Sequence, residues 1–199
     1  MLTFIKDQDL IYDTEKYDVI LVGTSIYCDL KNGFQSKMRY KYPFLQEGND
    51  KTPYADLRKL GTRLTFYDNK PIISLLYIAK YCTKKKPGIQ YDALEKCLLA
   101  ANAEFAGKRV ATTIVGHSVY EGGGDRDKCL EIIEKCTDKL DLTIYDYFQR
   151  KKSGEKFEYF KYVKSLLVRI KKSTKNFLKV REMNLKNDIY YNFINGKKF

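Results

Sequence analysis

The chain has 199 residues, 44% of them apolar, which suffices for one folded domain with its own core and excludes a disordered protein. The net charge is +12, and five cysteines without close pairing argue against a disulfide framework or a zinc site and indicate small buried thiols. No apolar run could span a bilayer and the N-terminus lacks a secretory pattern, so we expect no membrane segment and a reducing, cytoplasmic compartment.

The positive charge is concentrated at one end of the chain. Residues 151–199 contain 14 Lys and Arg against 4 Asp and Glu, whereas residues 1–150 contain 23 against 21. This division predicts a packed α/β domain over residues 1–150 and a basic, aromatic-rich, α-rich C-terminal extension over residues 151–199. The basic residues that we expect to form its interaction surface are Lys161, Lys164, Arg169, Lys171, Lys172, Lys175 and Arg181.

In the first half of the domain, the pattern changes from strands to a helix and back. Residues 18–22 form a continuous apolar run ended by Gly23, which is typical of a parallel strand buried on both faces. The predicted elements are an edge strand at 2–5, a buried strand at 18–22, a helix at 34–42, an irregular connection at 44–60 and hairpin strands at 62–67 and 72–79.

The second half alternates helix and strand. A helix is predicted over 91–105, a buried strand over 110–115 and a last strand over 141–147. Asp125 is the expected N-cap of a further helix, whose buried stripe is Cys129, Ile132, Ile133 and Cys136. Such alternation predicts an α/β sandwich with right-handed crossovers.

Two glycine-containing loops, the first loop (residues 23–33) and the glycine loop (residues 116–125), follow buried strands. If those strands are neighbours, the loops face each other across a cleft suited to a nucleotide diphosphate, because glycines let the backbone approach an anion. The alternative is that the glycines only form tight turns. The candidate ligand-binding residues are Gly23, Thr24, Ser25, Gly33, Gly116, His117, Ser118, Gly122, Gly123, Gly124 and Asp125.

The individual side chains in these loops indicate no catalytic mechanism. His117 is the single histidine, and it would either bond a phosphate or exchange protons, or else be an ordinary polar loop residue. No nucleophile with an activating base, no nucleotide-binding P-loop and no metal-ligand spacing is present in the sequence. We therefore assign no catalytic or metal-binding residue.

Taken as a set, the segments YDVILVG, NGF, KMRYKYP and KPII, followed by VATTIVG, the glycine loop and LDLTIYDY, resemble the macro domain family. The resemblance covers about residues 1–148 in the family's order. It implies a macro-domain-like three-layer α/β/α sandwich with a mixed sheet. It also implies that ADP-ribose or a related nucleotide is the ligand, with its diphosphate on the glycine loop and with Asp9 or Asp13 near the adenine.

One departure from the family concerns its hydrolytic members, which carry asparagines in the first loop. The matching segment, Val22-Gly23-Thr24-Ser25-Ile26, contains none. The resemblance therefore implies ligand binding with little or no hydrolase activity.

A second function, from a different class, stays open at this point. The chain could be a non-enzymatic structural or adaptor component of a larger assembly, for example a portal, tail or capsid-associated protein inside a phage virion. Its partners would then be other protein subunits that contact residues 151–199. Nucleic acid bound by the same basic and aromatic residues is the weaker alternative.

Overall fold

Six strands form one mixed sheet with helices on both faces in the computed structural model, which describes residues 1–27, 30–81 and 87–146. The predicted α/β/α sandwich is confirmed. The strands are β1 (Leu2–Lys6), β2 (Val19–Ser25), β3 (Arg63–Phe66), β4 (Ile72–Ala79), β5 (Arg109–Thr113) and β6 (Asp141–Asp146). The helices are α1 (Gly33–Lys41), α2 (Phe44–Asp50), α3 (Tyr91–Glu104) and α4 (Arg126–Cys136).

The sheet has the strand order β1-β6-β5-β2-β4-β3. All neighbouring strands are parallel except β3, which is antiparallel to β4. The central strands β2 and β4 are mostly apolar and are buried on both faces, as is typical of parallel strands covered by helices. Because β2 lies between β5 and β4, the carboxyl ends of three parallel strands share one edge of the sheet.

The face of the sheet covered by α3 and α4 is almost purely apolar. Leu94, Leu98 and Ala101 of α3 recur at helical spacing and pack with Cys129 and Ile133 of α4 in one core. Cys97, Cys129 and Cys136 are buried free thiols, as the sequence predicts. Burial of such side chains, at about 1.5–3 kcal/mol each, drives the helices onto the sheet.

The opposite face combines an apolar core with polar links. Met38 of α1 and Leu45 of α2 pack on Ile20 and Ile73 of the sheet. Side-chain hydrogen bonds connect the sheet to the short turns between β1 and β2. In one of these connections, the Tyr145 hydroxyl on β6 bonds both Asp13 and the Tyr17 hydroxyl. Of the three, Tyr145 is buried, and its hydroxyl is hydrogen-bonded, without which its burial would cost free energy.

One predicted connection was wrong, since residues 44–60 are not wholly irregular. They contain α2 and a short 3-10 turn, Leu57–Lys59. Gly48 weakens the helical signal in the sequence, but a Cβ there would lie 2.4 Å from Cε1 of Phe66, so close ring packing requires glycine. Tertiary contact, and not local propensity, determines this helix.

The carboxyl ends of β2 and β5 also differ from the prediction. The strand predicted to end at Gly23 continues to Ser25, because Thr24 and Ser25 still pair with β4. β5 ends at Thr113, two residues earlier than predicted.

Residues 151–199, and with them the predicted extension and its seven basic residues, lie outside the described residues. Within the described part of the chain, no helix is long and apolar enough to cross a membrane.

Candidate functional site

The two predicted loops meet at the carboxyl edge of the sheet. β2 and β5 are adjacent and parallel, so the segments that follow them leave the sheet side by side. The side-chain amide of Gln35 on α1 donates a hydrogen bond of 2.8 Å to the carbonyl of Tyr120 in the glycine loop. A Cβ at Gly33 would lie 2.9 Å from the Tyr120 ring, so glycine permits this approach. The crevice between the segments is therefore closed by direct contact.

The first-loop candidates do not all belong to a loop, which corrects that prediction. Gly23, Thr24 and Ser25 are buried residues of β2, and Gly33 begins α1. The Thr24 hydroxyl is buried without a hydrogen-bond partner, and the Ser25 hydroxyl oxygen accepts from the Tyr27 amide. Of this group, Gly23 faces the glycine loop, since a Cβ there would lie 3.5 Å from Cδ of Glu121.

The glycine loop is held closed largely by its own backbone. The amides of Glu121 and Gly123 both donate to the Ser118 carbonyl, at 2.8 and 2.9 Å, and the Gly124 amide donates to the Gly116 carbonyl at 2.8 Å. These donors are the groups that the sequence prediction assigned to a diphosphate. In the described conformation they are satisfied internally.

A second set of bonds attaches the glycine loop to the segment before α3. The carbonyl of Gly122 accepts from the amides of Gly88 and Ile89, at 2.7 and 3.1 Å. Gly122 has φ +129°, and a Cβ on it would lie 3.0 Å from the Ile89 backbone. Only glycine fits this position without displacing its neighbours.

His117 and Asp125 stabilise the ends of the glycine loop. The Nδ1 atom of His117 lies 3.2 Å from the Gly124 carbonyl oxygen, so the ring bonds the loop's own backbone. The Asp125 carboxylate accepts from the Lys128 amide at 2.9 Å, which confirms it as the N-cap of α4. The Asp125 amide donates to the hydroxyl of Tyr91 on α3.

The most unusual group in the crevice is Glu121, which the sequence prediction did not include. It is only 2% exposed. Its carboxylate accepts a hydrogen bond of 3.2 Å from the Gly116 amide and a long one of 3.5 Å from the Thr113 hydroxyl. Burial raises the pKa of Glu121 to about 8, despite both bonds. The one feature of the sequence that could have pointed to Glu121 is its position directly before three glycines.

The two acidic residues considered for the adenine both have internal partners. Asp9 accepts from the Ile11 amide and forms an ion pair with Lys37, and Asp13 forms one with Lys16. Two cavities of about 400 Å³ are present, one beside β3 and one at the start of α3, where its lining residues Ile89 and Tyr91 also bond the glycine loop. No acidic, cysteine and histidine cluster within the described ranges could hold a metal ion.

No protein-family model matches the sequence, and no match was found among curated proteins. Solved structures do match. The macrodomain of Mycobacterium tuberculosis DarG aligns with a TM-score of 0.58 and 17% identity, over 73% of this chain and 97% of that one. The fold of this protein is that of a macrodomain. At this level of identity the likeness concerns the fold.

Two further macrodomain-fold structures contain a ligand. Thermosipho africanus DarTG in complex with ADP-ribose aligns with a TM-score of 0.54 and 13% identity, over 78% of this chain and 44% of that one. The Trypanosoma brucei macrodomain in complex with ADP aligns with a TM-score of 0.52 and 15% identity, over 75% of this chain and 65% of that one.

Proposed function

We propose that this protein binds ADP-ribose or a related nucleoside diphosphate in the crevice between the glycine loop and the ends of β2 and β5. The observation that carries the proposal is the meeting of Gly23, Gly33 and the glycine loop at the carboxyl edge of parallel strands. Ligands of open α/β sheets bind at that edge. The ADP-ribose and ADP complexes of other macrodomain-fold proteins support the same class of ligand.

Binding at this site requires the glycine loop to change its hydrogen bonds. Its amides now donate to the carbonyls of Ser118 and Gly116, so a diphosphate would have to replace those acceptors. The three consecutive glycines make such a change inexpensive, because glycine has the widest range of backbone conformations. We therefore expect binding to be accompanied by rearrangement of this loop and not of the sheet. That hydrolysis is weak or absent stays a prediction.

Thermal unfolding with ADP-ribose tests the proposal, because a ligand that binds the native state stabilises it. At a ligand concentration of 100 times Kd, the expected gain is about 2.7 kcal/mol. Gly123→Glu should abolish the shift by placing a carboxylate in the proposed anion site. Gly107→Glu is the matched control: Gly107 also has positive φ, lies after α3 and has open space around it. Absence of a shift in the wild type at millimolar ADP-ribose would contradict the proposal.

A second candidate, a scaffold in a larger assembly, is favoured by the closed state of the glycine loop. A loop whose amides are bonded internally needs no ligand for its stability. In this case the contacts to other subunits would be made by residues 151–199. Measuring the native mass of the protein isolated from its source tests this candidate function. A stoichiometric high-mass complex supports the scaffold, and a solely monomeric protein contradicts it.

A further inference from the structure

The Glu121 side chain lies at the start of the glycine loop, in the crevice proposed for the ligand. Its carboxyl group is at the carboxyl end of β5, beside Gly23 of the neighbouring strand β2. It accepts from the Gly116 amide, the first donor of the glycine loop, and from a hydroxyl group. Amide and hydroxyl donors at the start of a glycine-rich loop are also the groups that bind phosphate oxygens.

The surroundings of Glu121 do not compensate a buried negative charge. Gly23 of β2 and Thr113 of β5 lie beside Glu121, and Cys129 on α4 is close enough for the Glu121 charge to affect the pKa of its thiol. Burial, followed by the charge of Glu121, raises the pKa of the Cys129 thiol to about 12, so this thiol is neutral. Among the described residues, no lysine, arginine or histidine forms a hydrogen bond or ion pair with Glu121. Buried carboxylates are normally paired with a cation.

The Glu121 carboxyl group also packs beside Gly23. A Cβ at Gly23 would lie 2.8 Å from Val115 and 3.0 Å from Ile78, and the Glu121 carboxyl carbon is the third neighbour, at 3.5 Å. The preceding residue, Tyr120, covers Gly33 and accepts from Gln35 through its carbonyl. Residues 120 and 121, which are adjacent in the chain, thus contact Gly33 at the start of α1 and Gly23 of β2, respectively.

We propose that Glu121 is an internal substitute for the ligand's phosphate and determines affinity: the ligand's diphosphate takes its donors and displaces its side chain to solvent. The inference rests on the proposed function. In the closed state the carboxyl group is mostly protonated at neutral pH, since its pKa is about 8. After displacement to solvent it ionises, and the proton goes to the buffer. Between roughly pH 5 and pH 8, binding should therefore release one proton and tighten about tenfold per pH unit.

Isothermal titration calorimetry with ADP-ribose, in buffers of different ionisation enthalpy at pH 6.5, measures this proton. ADP-ribose is a suitable probe because its diphosphate diester stays fully charged over the range. The wild type should release about one proton per ligand bound. Glu121→Gln, which is neutral and of similar shape, should bind without proton release and without pH dependence. Glu121→Ala, which leaves the position empty, should bind on the order of tenfold more tightly than the wild type.

Glu134→Gln is the matched control, since Glu134 is an exposed residue of α4 and should leave the proton count unchanged. If the wild type binds without proton release and Glu121→Ala binds more weakly, the inference is wrong while the proposed function stands. If only Glu121→Ala binds, the proposed function of the wild type is contradicted, whereas the inference that Glu121 occupies the anion position is supported. If none of the four proteins binds ADP-ribose at millimolar concentration, the proposed function is overturned and the inference with it.

Discussion

Asp13 and Glu121 are two carboxylates in opposite situations. Asp13 forms an ion pair of 2.8 Å with Lys16 and accepts a bond of 2.8 Å from the Tyr145 hydroxyl. The bond from Lys16, followed by that from Tyr145, lowers the pKa of Asp13. Glu121 is buried, has no cation within the described part of the chain, and its pKa is raised to about 8 by burial.

In our proposal, the difference separates a structural carboxylate from one that takes part in ligand binding. Asp13 connects the turn before β2 to β6, and its ionised form is favoured by every partner that contacts it. Glu121 is held where its ionised form is disfavoured, because it is buried without a cationic partner among the described residues. Groups with strongly perturbed pKa values in a cleft are the ones that commonly take part in function.

The largest expected effect concerns the pH dependence of stability. The folded pKa of Glu121, about 8, exceeds its unfolded value of about 4.3, so the folded state binds more protons between these values. Stability should therefore fall as pH rises from about 4.5 to 8, with a slope of up to ~1.4 kcal/mol per pH unit from this group. Urea unfolding of wild type and Glu121→Gln at pH 5.5, 7 and 8.5 measures the difference.

Asp13 should behave with the opposite sign. Its folded pKa is lowered, so its contribution to stability is present above pH 4 and is lost as pH falls through the folded value. If Glu121→Gln has the same pH profile as the wild type, the contrast between the two carboxylates does not exist. Glu134→Gln on the exposed face of α4 serves as the control for the loss of one acidic group.

A smaller effect is expected from the structural side of the comparison. Tyr145→Phe removes the hydroxyl that donates to Asp13 and contacts the Tyr17 hydroxyl at 2.9 Å. The loss of a buried hydroxyl bonded to a charged group should destabilise the protein by about 1–3 kcal/mol. Tyr12→Phe is the control, because Tyr12 is 84% exposed, and its effect should be within about 0.5 kcal/mol. Equal midpoints of urea unfolding for the two variants would contradict this assignment.

Much of the fold could be predicted from the sequence because many of its helices and strands have local sequence patterns. The run of apolar residues in β2, the helical spacing in α3 and the N-cap Asp125 all act within a few residues, and all three predictions are confirmed. α2 could not be predicted, because the reason for Gly48 is the Phe66 ring, which is distant in sequence. Long-range packing leaves little trace in a single sequence.

The candidate site was predicted only in part, for the same reason. The sequence predicts that the glycines bring the backbone close to an anion or form tight turns, and in the structure Gly33 and Gly122 lie at close approaches to other parts of the chain. The sequence could not show that the near neighbour is Tyr120 or Ile89 and not a ligand. Nor could it show that Glu121, in a polar-looking loop, is buried beside Gly23, since that depends on the adjacency of β2 and β5.

Chemical-shift mapping of the amide groups with ADP-ribose tests the central claim most directly. If the ligand replaces the internal acceptors of the glycine loop, the amides of Gly116, Gly123 and Gly124 should shift with one common Kd, because their hydrogen-bond partners change. The amide of Gly107, which follows α3 and donates to the carbonyl of Lys139, should keep its chemical shift. Shifts confined to residues outside the crevice, or no shifts at millimolar ADP-ribose, would contradict the claim.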